Sequence, residues 1–253
     1  MPRRRPLLLL PPSKGKSEGG GGPPYAATLP GSELADARTR VLEALAHDVP
    51  GLDDAAVARL AGVGAAGAVE QRASLVSLGD APTSPANRRY TGVVHGNAGL
   101  ADLRPGQIRA EVRIVSGLLG LVALGDPVPA YRLEFTASLP SLGGLAGFWR
   151  EAVSEHLAAL GRGRRVWDLL PGEHRRVWST QTRAGLDVVE VAFLRPDGRS
   201  ANAARTKVAK GRLAAALLAE PGMSPSDLPG HVDLGPGWSV HADGPSVTAI
   251  YAG

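Results

Sequence analysis

The first apolar run of the chain is four consecutive leucines, Leu7–Leu10, with no polar residue between them. So short and uniform a run predicts a strand covered on both faces. The next segment, "PPSKGKSEGGGGPPYAATLPG" at 11–31, predicts a long Pro/Gly-rich loop on the carboxyl end of that strand. "SELADARTRVLEALAHD" then takes on helical spacing. Ser32 reads as the N-cap, Glu33 and Asp36 as first-turn acids, and Leu34, Val41, Leu42 and Leu45 as the buried stripe. "DDAAVARLAGVGAAGAVEQ" predicts two helical stretches joined at Gly62-Val63-Gly64.

"EVRIV" reads as a central strand broken by Ser116-Gly117. "LLGLVALGDPVPA" follows as a tight, partly helical excursion, and "YRLEF" resumes as a strand. Alternation puts Tyr131, Leu133 and Phe135 on one face of it, with Arg132 and Glu134 on the other. Phe148, Trp149, Val153, Leu157 and Leu160 lie at helical spacing, and the aromatic pair reads as core rather than as a base-stacking platform. A strand over 166–170 and a one- or two-turn helix come next. A further strand, a Pro-Asp-Gly turn and a long helix from about Ala203 follow. Ser224, Pro225 and Asp227 form a capping-box pattern, and the C-terminal segment is a hairpin turning at Asp243-Gly244. Strands alternate with helices and no repeat appears. The expected fold class is therefore mixed α/β: a single domain over 1–253 with a central mixed sheet flanked by helices, preceded by a flexible terminus at 1–6.

Composition narrows the partners. The chain has 43% hydrophobic and 21% charged residues, as folded soluble proteins do, and no cysteine, which fits a reducing cytosol. No apolar run approaches a bilayer span, and the leucines after the basic start are too few for a signal-peptide core. A net charge of +4 favours anionic partners weakly. Lysine usage says more: of 28 basic residues only Lys14, Lys16, Lys207 and Lys210 are lysines, in two short windows. An ammonium differs from a guanidinium where a compact charge must approach an anion or change its protonation state.

Several residues therefore become candidates. The glycine loop could cradle an anion beside Lys14 and Lys16, although the GxxxxGK[ST] spacing of a phosphate loop is missing. Lys207 and Lys210, three apart, share a helix face, with Arg205 and Arg212 turned away. Arg132 and Glu134 are either an ordinary pair on a wet sheet face or the lining of a cleft in which the arginine grips an oxyanion. The turn at Gly62 is either a glycine-bearing packing turn or a phosphate-holding helix-hairpin-helix element with Arg59 ahead of it. His95 stands alone, and the six histidines show no metal-ligand spacing, so neither metal nor cofactor is expected.

"RIVSGLLGLVALGDPVPAYRLEF" resembles the central signature of the YaaA family of bacterial peroxide-stress proteins. "LLLLPPSKGKS", "YTG", "GFW", "TKVAKGRL" and "LPGH…LGPGWS" occur in family order across nearly the whole chain. The resemblance implies the family's compact cantaloupe fold, a positively charged cleft and a helix-hairpin-helix-like element. It also implies double-stranded DNA binding and protection of the cytosol against peroxide by limiting iron-driven damage. By position, Lys14 matches the first-loop lysine. Ser116, Gly117, Tyr131, Arg132 and Glu134 match the central motif, Trp149 the Phe-Trp pair, and Lys207 and Lys210 the late helix. Two departures stand out: Leu119 replaces a tyrosine, and Asp168-Leu-Leu-Pro171-Gly-Glu173-His174 replaces the family's asparagine- and tyrosine-bearing piece.

Two functions are thus expected from different classes. In the first, a monomeric stress protein binds duplex DNA or another phosphate-bearing ligand, with Lys14, Lys16, Arg59, Ser116, Tyr131, Arg132, Lys207 and Lys210 as anion contacts. Arg72 is a further phosphate candidate. In the second, a lyase or hydrolase acts on a nucleotide-like anion, with Lys14, Arg132, Glu134 and Lys207 as the catalytic group. A narrow hollow would favour the second and a long open basic stripe the first.

Overall fold

The computed structural model describes residues 4–103 and 110–253; of the expected flexible terminus, 1–3 lie outside the described residues. In chain order the strands are β1 (Leu7–Leu10), β2 (Thr83–Pro85), β3 (Glu111–Ser116), β4 (Gly120–Ala123), β5 (Pro127–Pro129), β6 (Ser138–Leu139), β7 (Gly143–Gly144), β8 (Arg165–Asp168), β9 (Asp187–Leu194), β10 (Trp238–Asp243) and β11 (Ser246–Tyr251). The α-helices are α1 (Ala35–Asp48), α2 (Asp54–Ala61), α3 (Ala68–Val76), α4 (Ala86–Arg89), α5 (Val93–Asn97), α6 (Leu145–Gly161), α7 (Thr180–Ala184) and α8 (Ala203–Ala219).

Seven strands form one sheet in the order β10-β11-β9-β8-β1-β3-β4. The inner pairs β11–β9, β9–β8, β8–β1 and β1–β3 run parallel, and an antiparallel hairpin closes each edge. This mixed sheet with helices is the expected fold class. All four leucines of β1 are fully buried, the signature of a parallel strand covered on both faces. β9, which like β1 is third from an edge, alternates buried and accessible positions instead over most of its length. Among the described residues no helix is long and apolar enough to cross a membrane.

Side-chain caps start three of the α-helices among the described residues, α2, α7 and α8. Asn202 caps α8, its side chain accepting from the Ala204 and Arg205 amides at 2.9 and 3.4 Å. The capping box at Ser224–Asp227 is present, on a short 3-10 helix. Three expectations are corrected. Ser32 does not cap α1: its hydroxyl donates to the Leu29 carbonyl at 2.8 Å, and the helix starts after Leu34, which sits in the left-handed region. The excursion after Ser116 is a strand hairpin rather than partly helical. The Ser116 hydroxyl accepts from the Leu118 and Leu119 amides at 3.2 and 3.0 Å and so folds the chain back into β4. Finally, "YRLEF" is not a strand. Tyr131, Leu133 and Phe135 are buried as alternation requires, but among the described residues no strand pairs with them. The segment is held instead by the Glu134 amide donating to the Leu60 carbonyl at 2.8 Å, at the end of α2.

Candidate functional site

The loops leaving the carboxyl ends of β1 and β8, where open α/β sheets place their ligands, converge on one hollow. The first loop supplies Lys14 and Lys16 and the second supplies Glu173 and His174. The extended segment 131–135 contributes Tyr131, Arg132 and Glu134, and the first half of α8 contributes Thr206, Lys207 and Lys210. The cavity measures about 580 Å³. All four lysines of the chain therefore line a single hollow, although nearly two hundred residues separate their two windows.

The Pro/Gly loop does not hang free. Arg89, fully buried, donates to the carbonyls of Ser17, Gly19, Pro82 and Val128, drawing the loop against β2 and β5. The glycine run permits this approach, since a Cβ at Gly20 or Gly22 would overlap Thr83. A backbone bridge between Lys16 and Tyr90 completes the clamp, and α8 packs on α5 across the hollow's floor.

Charge is distributed unevenly inside. Lys14 Nζ lies 2.6 Å from Glu134 Oε1, with the lysine side chain 72% exposed. Lys210, buried, donates to the Leu169 carbonyl at 2.7 Å and stands over the Phe193 ring at 5.4 Å. Loss of water, then the Arg175 guanidinium, lowers it to about 8 against the opposing pull of Asp168. Lys16 donates to the Ser13 carbonyl at 2.7 Å, with Nζ 4.1 Å from the Tyr131 ring centroid and 5.5 Å from that of Tyr90. The ring faces favour the charged ammonium. Burial and the neighbouring Arg132 nevertheless bring Lys16 down to about 7, with Glu134 opposing and Arg89 assisting.

Two histidines share the hollow in neutral form. His95 holds the Pro11 carbonyl through Nε2 at 2.9 Å, and burial lowers its pKa. His174 stacks on Phe135 with ring centroids 4.7 Å apart, and burial, then Lys210, lowers it to about 4. Its Nδ1 is 3.6 Å from Glu173, too far for a hydrogen bond, and is left without one, as is the buried hydroxyl of Thr206. Both are enclosed polar atoms without a hydrogen-bond partner among the described residues. Below them, buried Asp168 is held by Arg175 at 3.0 Å and Arg183 at 3.3 Å; burial raises its pKa against those guanidiniums.

Not every sequence candidate reaches the wall. Ser116 lies behind it, fully buried and 2.7 Å from the Tyr131 hydroxyl, so it positions that ring rather than meeting a ligand. Arg59 is exposed on α2, outside the hollow. Arg72 is engaged by the Val49 carbonyl and Asp54, both at 2.7 Å. Trp149 is fully buried, its indole N–H donating to the Gly117 carbonyl at 2.8 Å. Thr206 was not singled out from sequence, and Glu173 and His174 entered only as part of a departure from the family's pattern, not as site residues; a further signal for them is their place just past a parallel strand's carboxyl end. Gly62, with φ of 62°, packs so closely on Glu134 that a Cβ there would overlap the carboxylate, which sets the turn between α2 and α3 at the rim.

A second hollow of about 650 Å³ lies around the start of β8 and carries Arg4, Arg162, Arg164 and Arg165. Its cations are partly spent, Arg164 on Glu111 and Arg165 on Asp187. In the lysine-lined cavity Lys207 and Arg132 are exposed cations, and the unbonded atoms of His174 and Thr206 belong to residues of the same wall.

Comparison with known proteins agrees with the sequence signature. A family model described as peroxide stress protein YaaA matches residues 7–237. A UPF0246 protein of Streptomyces coelicolor is 31% identical over 197 residues, covering 76% of this chain and 74% of that protein. A UPF0246 protein of Corynebacterium efficiens is 31% identical over 149 residues, 57% of this chain and 58% of the relative. One from Salinispora tropica is 28% identical over 161 residues, 60% of each.

Proposed function

Because this chain belongs to the peroxide stress protein YaaA family, we propose that it serves the peroxide response by binding a phosphate-bearing anion of nucleotide size in the lysine-lined cavity. One observation carries the reading: in a chain that uses arginine almost everywhere, all four lysines meet in one hollow of about 580 Å³. Five cationic side chains and two carboxylates line it, an excess suited to a doubly or triply charged ligand. Lys207 and Arg132 take the exposed oxygens. Lys210 holds the floor beside His174 and Thr206. The compact shape favours a small molecule over a continuous groove.

Duplex DNA is the second reading, favoured by the position of the Gly62 turn against Glu134 at the cavity rim. In that reading exposed Arg59 and Lys207 contact backbone phosphates, and binding in the cytosol shields the duplex from iron-driven damage. The two are separated by titrating a nucleoside diphosphate and a short duplex, at low and high salt, into the wild type, Lys207→Ala and Arg59→Ala. Loss of one charge-assisted contact weakens binding about tenfold or more. The cavity reading expects that loss for the nucleotide with Lys207→Ala and none with Arg59→Ala, together with lower peroxide survival in cells carrying Lys207→Ala. Duplex binding that both variants weaken alike, with no nucleotide binding, supports the DNA reading instead.

A further inference from the structure

The four amines of the cavity are held in different ways. Lys14 is paired with Glu134, Lys207 is exposed, and Lys210 is tied to the Leu169 carbonyl. Lys16 differs from all three. Its Nζ packs against the Tyr131 ring, its one hydrogen bond is to the Ser13 carbonyl, and among the described residues Glu134 pairs with Lys14 rather than with Lys16. The loop that carries it is fixed by Arg89 and by the Lys16–Tyr90 bridge, so the amine is held in place on the wall.

We propose that Lys16 is a nucleophilic amine that condenses with the carbonyl group of a phosphate-bearing aldehyde or ketone bound in this cavity. The inference deepens the anion-binding reading and rests on it. The groups facing Lys16 are Arg132, Arg89 and Glu134, neutral His95, and the phenols of Tyr90 and Tyr131. Together they leave a substantial neutral fraction near pH 7, where an ordinary lysine is almost wholly protonated. In the step itself the Nζ lone pair forms a bond to the carbonyl carbon. The two N–H hydrogens pass to the carbonyl oxygen, which departs as water, and C=N replaces C=O with no oxidant or reductant. The phosphate is held by Lys207 and Arg132, which share the wall with Lys16.

Pyridoxal 5′-phosphate provides a probe with both functional groups. The full chain is incubated with it, reduced with borohydride, and the modified lysines are located by peptide mass; four lysines make the map complete. Lys16 should be labelled at least about tenfold faster than Lys14 or Lys207, with a half-maximal rate near pH 7. A nucleoside diphosphate should slow the labelling, and Lys16→Arg should remove its fast component, leaving only the slow rates of Lys14 and Lys207. Labelling of Lys14 and Lys207 with Lys16 spared, or a Lys16 rate that rises only above about pH 9, overturns the proposal. Nucleotide binding on the same sample separates the two failures. Binding with Lys16 unlabelled removes the covalent step alone, whereas no binding removes the cavity reading beneath it.

Discussion

Lys14 Nζ lies 2.6 Å from Glu134 Oε1, linking the loop after β1 to the unpaired segment 131–135 across the mouth of the cavity. The pair is largely solvated on the lysine side, so it sets charge more than it sets stability. Glu134→Gln should therefore change unfolding free energy by less than about 1 kcal/mol. The same substitution removes the one carboxylate that raises Lys16, so the amine should titrate below its present value of about 7. Chemical denaturation and a ¹³C-lysine NMR titration measure the two effects separately.

Arg89 carries the opposite balance. Its guanidinium is buried and satisfies carbonyls at Gly19 (2.6 Å), Val128 (2.9 Å) and Pro82 (3.2 Å), besides that of Ser17. Arg89→Met would strand those acceptors away from water at a cost of about 3–5 kcal/mol. The urea midpoint should fall accordingly, and limited proteolysis should cut first within 11–31, the loop this residue ties down.

The buried lysines predict an alkaline gain in stability. Lys16 and Lys210 titrate at about 7 and about 8 in the folded chain, below the ordinary 10.5. Between those values the unfolded chain binds more protons, so stability should rise with pH through the window from about 7 to 10.5. Tyr90 is raised to about 12, chiefly by burial, and burial raises Tyr131 well above the ordinary range too. The unfolded chain therefore loses tyrosine protons first, and stability should fall again above about pH 10. On the acid side His174, lowered to about 4, should cost stability as pH falls below about 6.5. Urea midpoints across pH should peak between about 9 and 10. Lys16→Met should flatten part of the alkaline rise, and His174→Gln part of the acid fall.

How much of this was legible beforehand depended on whether the cause was local. Leu7–Leu10 could be read as a buried strand, and the helix from Ala203 could be placed after its Pro-Asp-Gly turn, because a uniform apolar run and a turn are local signals. The opposed faces of α8 were legible too: Arg205 lies over Tyr251 and Arg212 faces Asp233, away from Lys207 and Lys210. "YRLEF" misled because alternation reports which side chains are buried, not whether a neighbouring strand hydrogen-bonds to the segment. The early start assigned to α1 failed because Ser32 found the Leu29 carbonyl instead. Lysine scarcity pointed to the cavity. The partners that divide the lysines' roles, Glu134 for Lys14 and Tyr131 for Lys16, depend on how distant loops fold and leave no mark in spacing.

The account rests on four amines sharing one ligand, and ε-¹³C-lysine NMR observes those four signals and no other side chain. Titration with a nucleoside diphosphate should move all four together along one saturation curve, with Lys16 and Lys210 also shifting their titration midpoints upward as the anion arrives. Signals that respond with unrelated affinities, or movement of exposed Lys14 and Lys207 while Lys16 and Lys210 stay still, would contradict it.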